Sequence, residues 1–158
     1  FLYSFYTNDS IVEVSRDTGE SLWWAGTVSG GYDFEPSDAQ FDWQHGISYT
    51  DTGTLLLSSE ARIDDVKSTV VWEYDVNHTD GTLTEVWFAD SGEHASTNGD
   101  AWRLDNGNTL HVIGSSGHIK EYDASGETVW HVDITTEDSG RLLGRGEFIE
   151  DLYELVSP

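Results

Sequence analysis

The chain has 158 residues, the length of one ordinary domain, and its 30 acidic residues against seven Lys and Arg give a formal net charge of −23. This charge argues against nucleic acid and anionic membrane surfaces as partners, because their binders need a basic face. The absence of cysteine excludes disulfides, thiolate nucleophiles and Cys-type metal sites, and no apolar run approaches the roughly 18 residues of a membrane-spanning segment.

The acidic residues are dispersed among 20 aromatic residues (seven Trp, seven Tyr and six Phe), so we predict a folded domain with an acidic surface rather than disorder. The two lysines, Lys67 and Lys120, and the abundant Asp fit a halophilic prokaryote, because molar salt screens self-repulsion over about 3 Å. An ordinary acidic secreted protein is the alternative.

Short β-rich runs separated by Gly and Asp or Asn turns follow one another along the chain, and helical periodicity is almost absent. Residues 1–27 predict three strands, in FLYSFYT, SIVEVSR and SLWWAG. Residues 41–90 predict four, in WQHGISYT, TLLLSS, TVVWEYDV and LTEVWFA. Residues 98–133 predict four more around Asn106-Gly107, since both central residues of a type I′ hairpin turn need positive φ.

Two features recur in these segments. An apolar-x-Glu-apolar strand holds Glu13, Glu73 and Glu121, and a Gly precedes a Trp-bearing strand in each segment. Four-stranded meanders that repeat roughly every 40–60 residues indicate a β-propeller. We therefore predict an all-β fold in which residues 1–158 form a single partial propeller domain, with blades at about 1–27, 41–90 and 98–133. A single β-sandwich with chance similarity is the alternative.

The predicted blades are fewer than the roughly four to eight of a closed propeller. Residues 147–155, EFIEDLYEL, predict a further strand that would close the ring. We therefore expect the remaining blades to come from a missing half of the propeller or from other copies of the chain.

Three stretches resemble a known family. SIVEVSRDTGESLWWAG, followed at a distance by FDWQHGISYTDTGTLLLSSE, is similar to the bacterial and archaeal arylsulfotransferases, and LDNGNTLHVIGSSGHIKEYDASGETVWHVD resembles their C-terminal blades. The resemblance implies a six-bladed propeller, of which this chain would be the C-terminal half. It also implies transfer of a sulfuryl group from a phenolic sulfate to another phenol, without a nucleotide donor or other cofactor.

The family carries the sulfuryl group on a histidine in the central funnel, and the matching position is His45. A neutral imidazole is a competent nucleophile, with an ordinary pKa of about 6.5. We expect the His45 ring to face the channel beside an aromatic wall that includes Trp43 or a tryptophan of a neighbouring blade, with one ring nitrogen held by a hydrogen bond. The alternative is a loop histidine satisfied by a carboxylate.

The sequence departs from the family at one position. The family arginine that neutralises the sulfate is matched by Tyr6, which leaves catalysis open. Among the other arginines, Arg103 lies on a predicted inner strand and is the best substitute, whereas Arg16 and Arg62 lie in a turn and a predicted insertion. His94, in a long loop, is a candidate for the channel mouth or a solvated loop histidine. The predicted substrate-binding set is therefore Tyr6, Trp43, His94 and Arg103.

No metal site is predicted, because no histidine pair has suitable spacing and DVNHTDG, at 75–81, fits a hairpin turn better than a calcium loop. Asn8 and Asn77 lie in glycosylation sequons, and Asn77 is favoured because its sequon falls in a turn. The sequons support an extracellular or cell-surface location.

Two functions therefore stay open. One is a sulfuryl transferase with His45 as the nucleophile. The other is a non-catalytic surface propeller that acts as a scaffold, adhesion or filament-associated module.

Overall fold

Antiparallel strands joined by tight turns make up almost all of the regular structure in a computed structural model that describes residues 1–134, 143–149 and 151. The strands of the first sheet run in the order β1-β2-β3: β1 (Leu2–Phe5), β2 (Ser10–Val14) and β3 (Ser21–Gly26). The third sheet has the order β12-β11-β10-β9: β9 (Asp100–Arg103), β10 (Thr109–Ile113), β11 (His118–Tyr122) and β12 (Thr128–Asp133). The prediction of an all-β chain is confirmed for the described residues.

The second sheet has five strands, in the order β4-β8-β7-β6-β5. Its members are β4 (Asp33–Glu35), β5 (Asp42–Tyr49), β6 (Leu55–Ile63), β7 (Val66–Asn77) and β8 (Thr82–Asp90). The sequence did not predict β4, which pairs in parallel with β8 at the outer edge. The only helical turns in the described residues are 3-10 turns at Tyr6–Asn8, Ser37–Ala39 and Gly114–Ser116. None of the described segments is a helix long and apolar enough to cross a membrane.

The three sheets are stacked, and the second sheet is buried on both faces. Successive side chains of a strand point to opposite faces, so β6 divides its apolar run between two cores. Leu55 and Leu57 pack with Ile11 and Trp23 of the first sheet. Leu56 packs with Tyr122 of the third sheet. This double burial explains the continuous Leu-Leu-Leu and Val-Val runs of β6 and β7.

The recurring glutamate occupies the same place in all three sheets. A β-bulge follows it at once in each case, and the extra residue on the facing strand is an exposed apolar side chain: Leu22, Val86 or Val129. Each glutamate lies opposite a tryptophan of the next strand, in the pairs Glu13–Trp23, Glu73–Trp87 and Glu121–Trp130. The three sheets are therefore copies of one structural unit.

The same glutamate also links neighbouring sheets. Glu13 Oε2 accepts a hydrogen bond of 2.7 Å from the Tyr49 hydroxyl at the end of β5. Glu73 Oε2 accepts one from the guanidinium of Arg103 at the end of β9. Tyr49 and Arg103 are each the last residue of the edge strand of their sheet, so one type of contact holds both interfaces.

The free edges of the sheets come together at β1, β5 and β9, because β1 and β9 both contact β5. Residues 143–149 lie beside the third sheet, where the amide of Leu143 donates to the carbonyl of Gly114 at 3.0 Å. Of the predicted closing strand at 147–155, residues 147–149 and 151 are not in a strand, and the rest lie outside the described residues.

Candidate functional site

An open cleft of about 410 Å³ runs along the meeting edges of β1, β5 and β9. We call it the His45 cleft. Among the residues that line it are Ser4 of β1, His45 of β5 and Asp100 of β9, together with Asn98 and Arg145. Each sheet contributes to it, so the cleft exists only because the three sheets are stacked with their edges aligned.

His45 sits at an irregular part of β5. It pairs with Ser58 of β6, and the pairing register shifts on both sides of it. Trp43 and Gly46 on either side have positive φ values of +52° and +55°. These departures from regular strand geometry let the β5 backbone turn locally and present the His45 ring at the cleft.

The His45 imidazole is half-buried and packs on an aromatic side chain. Its ring stacks on that of Tyr6, with centroids 5.4 Å apart and planes inclined by 22°. Burial lowers the pKa of His45, so the ring is neutral near pH 7. Neither ring nitrogen has a hydrogen-bond partner among the described residues, so the partner expected for one of them is not found there.

Gly46 brings β5 into close contact with β9. A Cβ atom added to Gly46 would overlap the carboxylate and the Cα atom of Asp100. The positive φ of Gly46 also favours glycine. A residue without a side chain is therefore required next to His45 for Asp100 to reach the cleft.

Asp100 is a buried carboxyl group at the wall of the cleft. It is 3% exposed, and its Oδ2 atom has no hydrogen-bond partner among the described residues. Burial raises its pKa to about 6, although the nearby Arg145 guanidinium and the backbone amide of Ala101 act in the opposite direction. The Nε atom of Arg145 lies 3.6 Å from Oδ2, and the Arg145 side chain is 83% exposed.

His45 and Asp100 occupy equivalent places in neighbouring sheets. The repeat places Leu55 of β6 and Thr109 of β10 opposite Tyr74 and Tyr122, the residues that follow the recurring glutamate. Three residues further on, Ser58 and Val112 face His45 and Asp100 respectively. One edge-strand position of the repeat thus carries the imidazole in the second sheet and the carboxyl group in the third.

A family model described as arylsulfotransferase (ASST) matches residues 1–135. The chain belongs to the arylsulfotransferase family. No curated protein matches it.

The arylsulfotransferase chain is also similar to a solved structure. It is the crystal structure of a protein of unknown function from Bacteroides caccae, which shares 16% sequence identity with this chain and superposes on it with a TM-score of 0.54. The match covers 85% of this chain and 42% of that one, so the chain spans less than half the length of the structure it resembles. At this identity the likeness shows the fold alone.

Trp43 and Tyr6, both predicted from the sequence, lie near His45. The Tyr6 and Trp43 rings meet edge to face with centroids 5.4 Å apart. The Lys67 ammonium lies 4.9 Å from the centroid of the Trp43 ring. Tyr6 and Trp43 therefore adjoin His45 without lining the cleft itself, and Lys67 lies beside Trp43.

His94 lies in a separate ion-pair cluster. Its Nε2 atom is 2.8 Å from Glu60 Oε2, and Lys67 Nζ is 2.5 Å from Glu60 Oε1. Burial opposes the ionisation of Glu60, but hydrogen bonds from Lys67 and His94 outweigh it and lower its pKa. His94 is therefore engaged by a carboxylate and does not line the His45 cleft.

Arg103 lies apart from His45. Its guanidinium pairs with Glu73, donates to the Gly107 carbonyl at 3.1 Å and lies 4.7 Å from the centroid of the Trp87 ring. It borders another cleft, between the second and third sheets. Its predicted role in binding substrate is therefore not supported by proximity to His45.

The two sequon asparagines differ in their surroundings. Asn8 is exposed in the 3-10 turn after β1. Asn77 is half-buried at the end of β7, and its side-chain amide donates to Asp80 at 2.8 Å. Their glycosylation stays a prediction, and exposure in a turn favours Asn8 over Asn77, whose amide nitrogen is engaged by Asp80.

One further histidine is excluded as a nucleophile by its burial. His111 is fully buried between the Ser58 hydroxyl, at 2.9 Å, and the Tyr122 hydroxyl, at 3.3 Å. Burial lowers its pKa to about 3, so it is a neutral structural residue behind β6. Among the described residues, no group of three or more His, Asp or Glu side chains could hold a metal ion.

Asp100 and Arg145 were missed by sequence analysis. The available signal for Asp100 was its place in the repeat, since Asn-Gly-Asp at 98–100 stands at the start of one edge strand as Trp-Gln-His at 43–45 stands at the start of another. No pattern marked Arg145, because it lies in a segment without regular structure.

Proposed function

We propose that the His45 cleft transfers a sulfuryl group from an aryl sulfate to a phenol through a covalent intermediate on His45. The observation that carries this proposal is the neutral His45 imidazole, which lines an open cleft and stacks on Tyr6. Neither of its ring nitrogens has a hydrogen-bond partner among the residues that the structure describes. Membership of the arylsulfotransferase family supports the reaction class.

In the first half-reaction, a ring nitrogen of His45 forms a bond to sulfur while the bond between sulfur and the phenolic oxygen breaks. In the second half-reaction, the oxygen of an acceptor phenol bonds to the same sulfur while the bond from sulfur to His45 breaks. Over the two half-reactions the proton of the acceptor replaces the one that the released phenolate takes up. A phenolate is a good leaving group, so the protein mainly positions the reactants and neutralises the sulfuryl oxygens.

We assign the neutralising charge to Arg145. Tyr6 occupies the place of the family arginine, and its neutral ring packs on His45 instead of binding an anion. Arg145 lines the cleft from another segment, and its side chain is 83% exposed and therefore able to turn toward a sulfate. Tyr6 and Trp43 then provide apolar surface for the aryl ring.

The test is to incubate the complete protein with 4-nitrophenyl sulfate and determine its intact mass and the released phenol. We expect one added sulfuryl group on His45 and loss of both the adduct and phenol release in His45→Ala. His131→Ala is the matched control, since His131 is an exposed residue of β12. A wild-type protein without an adduct would instead favour a non-catalytic surface module.

We further propose that the three sheets are consecutive blades of a propeller, about half of a six-bladed ring. The repeated contact from a glutamate to the next edge strand supports this, as does the meeting of β1, β5 and β9. The outward face of the first sheet exposes Tyr3, Phe5 and Leu22 by 48%, 49% and 58%, an area that a further blade would cover.

We also propose that the protein works outside the cell in high salt. Besides the net charge of −23, individual carboxyl groups are crowded. Burial and then the neighbouring Asp9 and Glu60 raise the pKa of Asp42, and burial and then Asp38 raise that of Glu85. Salt would relieve this repulsion.

A further inference from the structure

We propose that Asp100 is a further catalytic residue of the His45 cleft, the acid and base that carries a proton between the two phenolic oxygens. This proposal rests on the proposed function of His45. It adds a second reacting group, from the third sheet, to the histidine of the second sheet.

The position of Asp100 supports this role. Asp100 lines the same cleft as His45 and presses against Gly46, the next residue along β5. Its Oδ2 atom is buried without a hydrogen-bond partner among the described residues, which is costly for a group with no function there. A structural carboxylate would be expected to have its hydrogen bonds satisfied, as Glu13 and Glu73 do.

The electrostatic surroundings favour a carboxyl group that changes its protonation state. Burial raises the pKa of Asp100 to about 6, well above the ordinary aspartate value. A general acid or base works best when its pKa lies near the working pH. Arg145, from residues 143–149, is the charged group beside Asp100, and His45 of β5 is the titratable group that lines the same cleft. Gly46 of β5 and Val112 of β10, which also lie next to Asp100, carry no charge.

Arg145 couples substrate binding to this protonation. Its guanidinium lowers the pKa of Asp100 while it stands 3.6 Å from Oδ2. A bound sulfate competes for the same guanidinium and also brings a negative charge of its own. Both effects raise the pKa of Asp100, so the carboxyl group gains a proton when the donor is in place.

The proton then moves with the sulfuryl group. As the bond from His45 to sulfur forms and the bond from sulfur to the donor oxygen breaks, protonated Asp100 gives its proton to that oxygen. In the second half-reaction, the Asp100 carboxylate takes the proton of the acceptor phenol while the acceptor oxygen bonds to sulfur and the bond to His45 breaks. One proton passes from acceptor to donor, and both residues are restored.

Asp100→Asn in the complete protein tests this role, with two donors that differ in leaving group. The rate of adduct formation on His45 is measured in a single turnover with phenyl sulfate and with 4-nitrophenyl sulfate. General acid–base catalysis contributes about 10²- to 10⁴-fold, so we expect a loss of at least about 10²-fold with phenyl sulfate. With 4-nitrophenyl sulfate we expect little loss, because 4-nitrophenolate leaves without a proton. Asp105→Asn, at an exposed turn residue, is the control.

The outcomes separate the two proposals. An equal loss with both donors, or no loss with either, would overturn the role of Asp100 while leaving the His45 adduct intact. A wild-type protein that forms no adduct with 4-nitrophenyl sulfate would overturn both. If Asp100→Asn does not fold, the solvent deuterium isotope effect of the wild type decides. We expect a normal effect with phenyl sulfate and none with 4-nitrophenyl sulfate, and the absence of any effect with phenyl sulfate would contradict proton transfer.

Discussion

Gly46→Ala should destabilise the protein and separate β5 from β9. Gly46 has a φ of +55°, where a residue with a Cβ costs about 1–2 kcal/mol. The new methyl group would also overlap the Asp100 carboxylate and Cα, and overpacking of this kind costs about 1–3 kcal/mol more. The sum of about 2–5 kcal/mol is a large part of the roughly 5–15 kcal/mol that stabilises an ordinary domain.

Gly53→Ala provides a matched control for this prediction. Gly53 lies in the turn between β5 and β6 with a φ of +86°, and a Cβ there would meet nothing within 4 Å. It should therefore carry the conformational cost alone, and the two variants should differ by the overlap cost of about 1–3 kcal/mol. Denaturant unfolding in molar salt measures both. Equal free energies of unfolding for the two variants would show that Asp100 does not pack against Gly46.

Three other predictions concern stability. Glu73→Gln breaks the ion pair with Arg103, in which the Glu73 side chain is 10% exposed and the Arg103 side chain 21% exposed, and should cost about 2–3 kcal/mol of stability after allowance for solvent. In the same unfolding assay, Glu127→Gln at an exposed position should cost under about 0.5 kcal/mol. The thermal midpoint should rise between low and molar salt, and an unchanged midpoint would contradict the halophilic interpretation. The pKa of Asp100 is about 6 in the folded protein and lower in the unfolded chain, so Asp100 stabilises the fold less as the pH rises from about 4 to about 6. This loss of stability amounts to at most about 3 kcal/mol. Chemical unfolding across this pH range should show that Asp100→Asn lacks it.

The repeat was accessible from the sequence because it rests on local patterns. Alternating apolar residues, Gly turns and the recurring glutamate all lie within single strands or hairpins. The sequence identified Glu13, Glu73 and Glu121 as equivalent, and the structure gives each the same bulge and the same facing tryptophan. Local order of this kind needs no knowledge of how the sheets stack.

Side-chain direction on the edge strands was less accessible. Arg103 was placed on an inner strand, and β9 is indeed the edge strand of the third sheet. Its side chain, however, shares a face with Ala101, which is packed on the second sheet, and so it pairs with Glu73 rather than reaching His45. A shift of one residue in a strand exchanges the two faces, and only the cross-strand register settles which face a residue takes.

The remaining parts of the site depend on contacts between sheets. Asp100 reaches the His45 cleft because Gly46 lets two edge strands approach, and Arg145 reaches it from residues 143–149, far along the chain. Stacked copies of one unit bring equivalent positions side by side along their shared edge. When the copies carry identical residues there, the edge is only structural. When one copy carries His45 and the next carries Asp100, an imidazole and a carboxyl group line the same cleft without any change of fold. We therefore expect the chemistry of this family to reside in positions where the repeats differ, and the stability to reside in positions such as Glu13 and Glu73, where they agree.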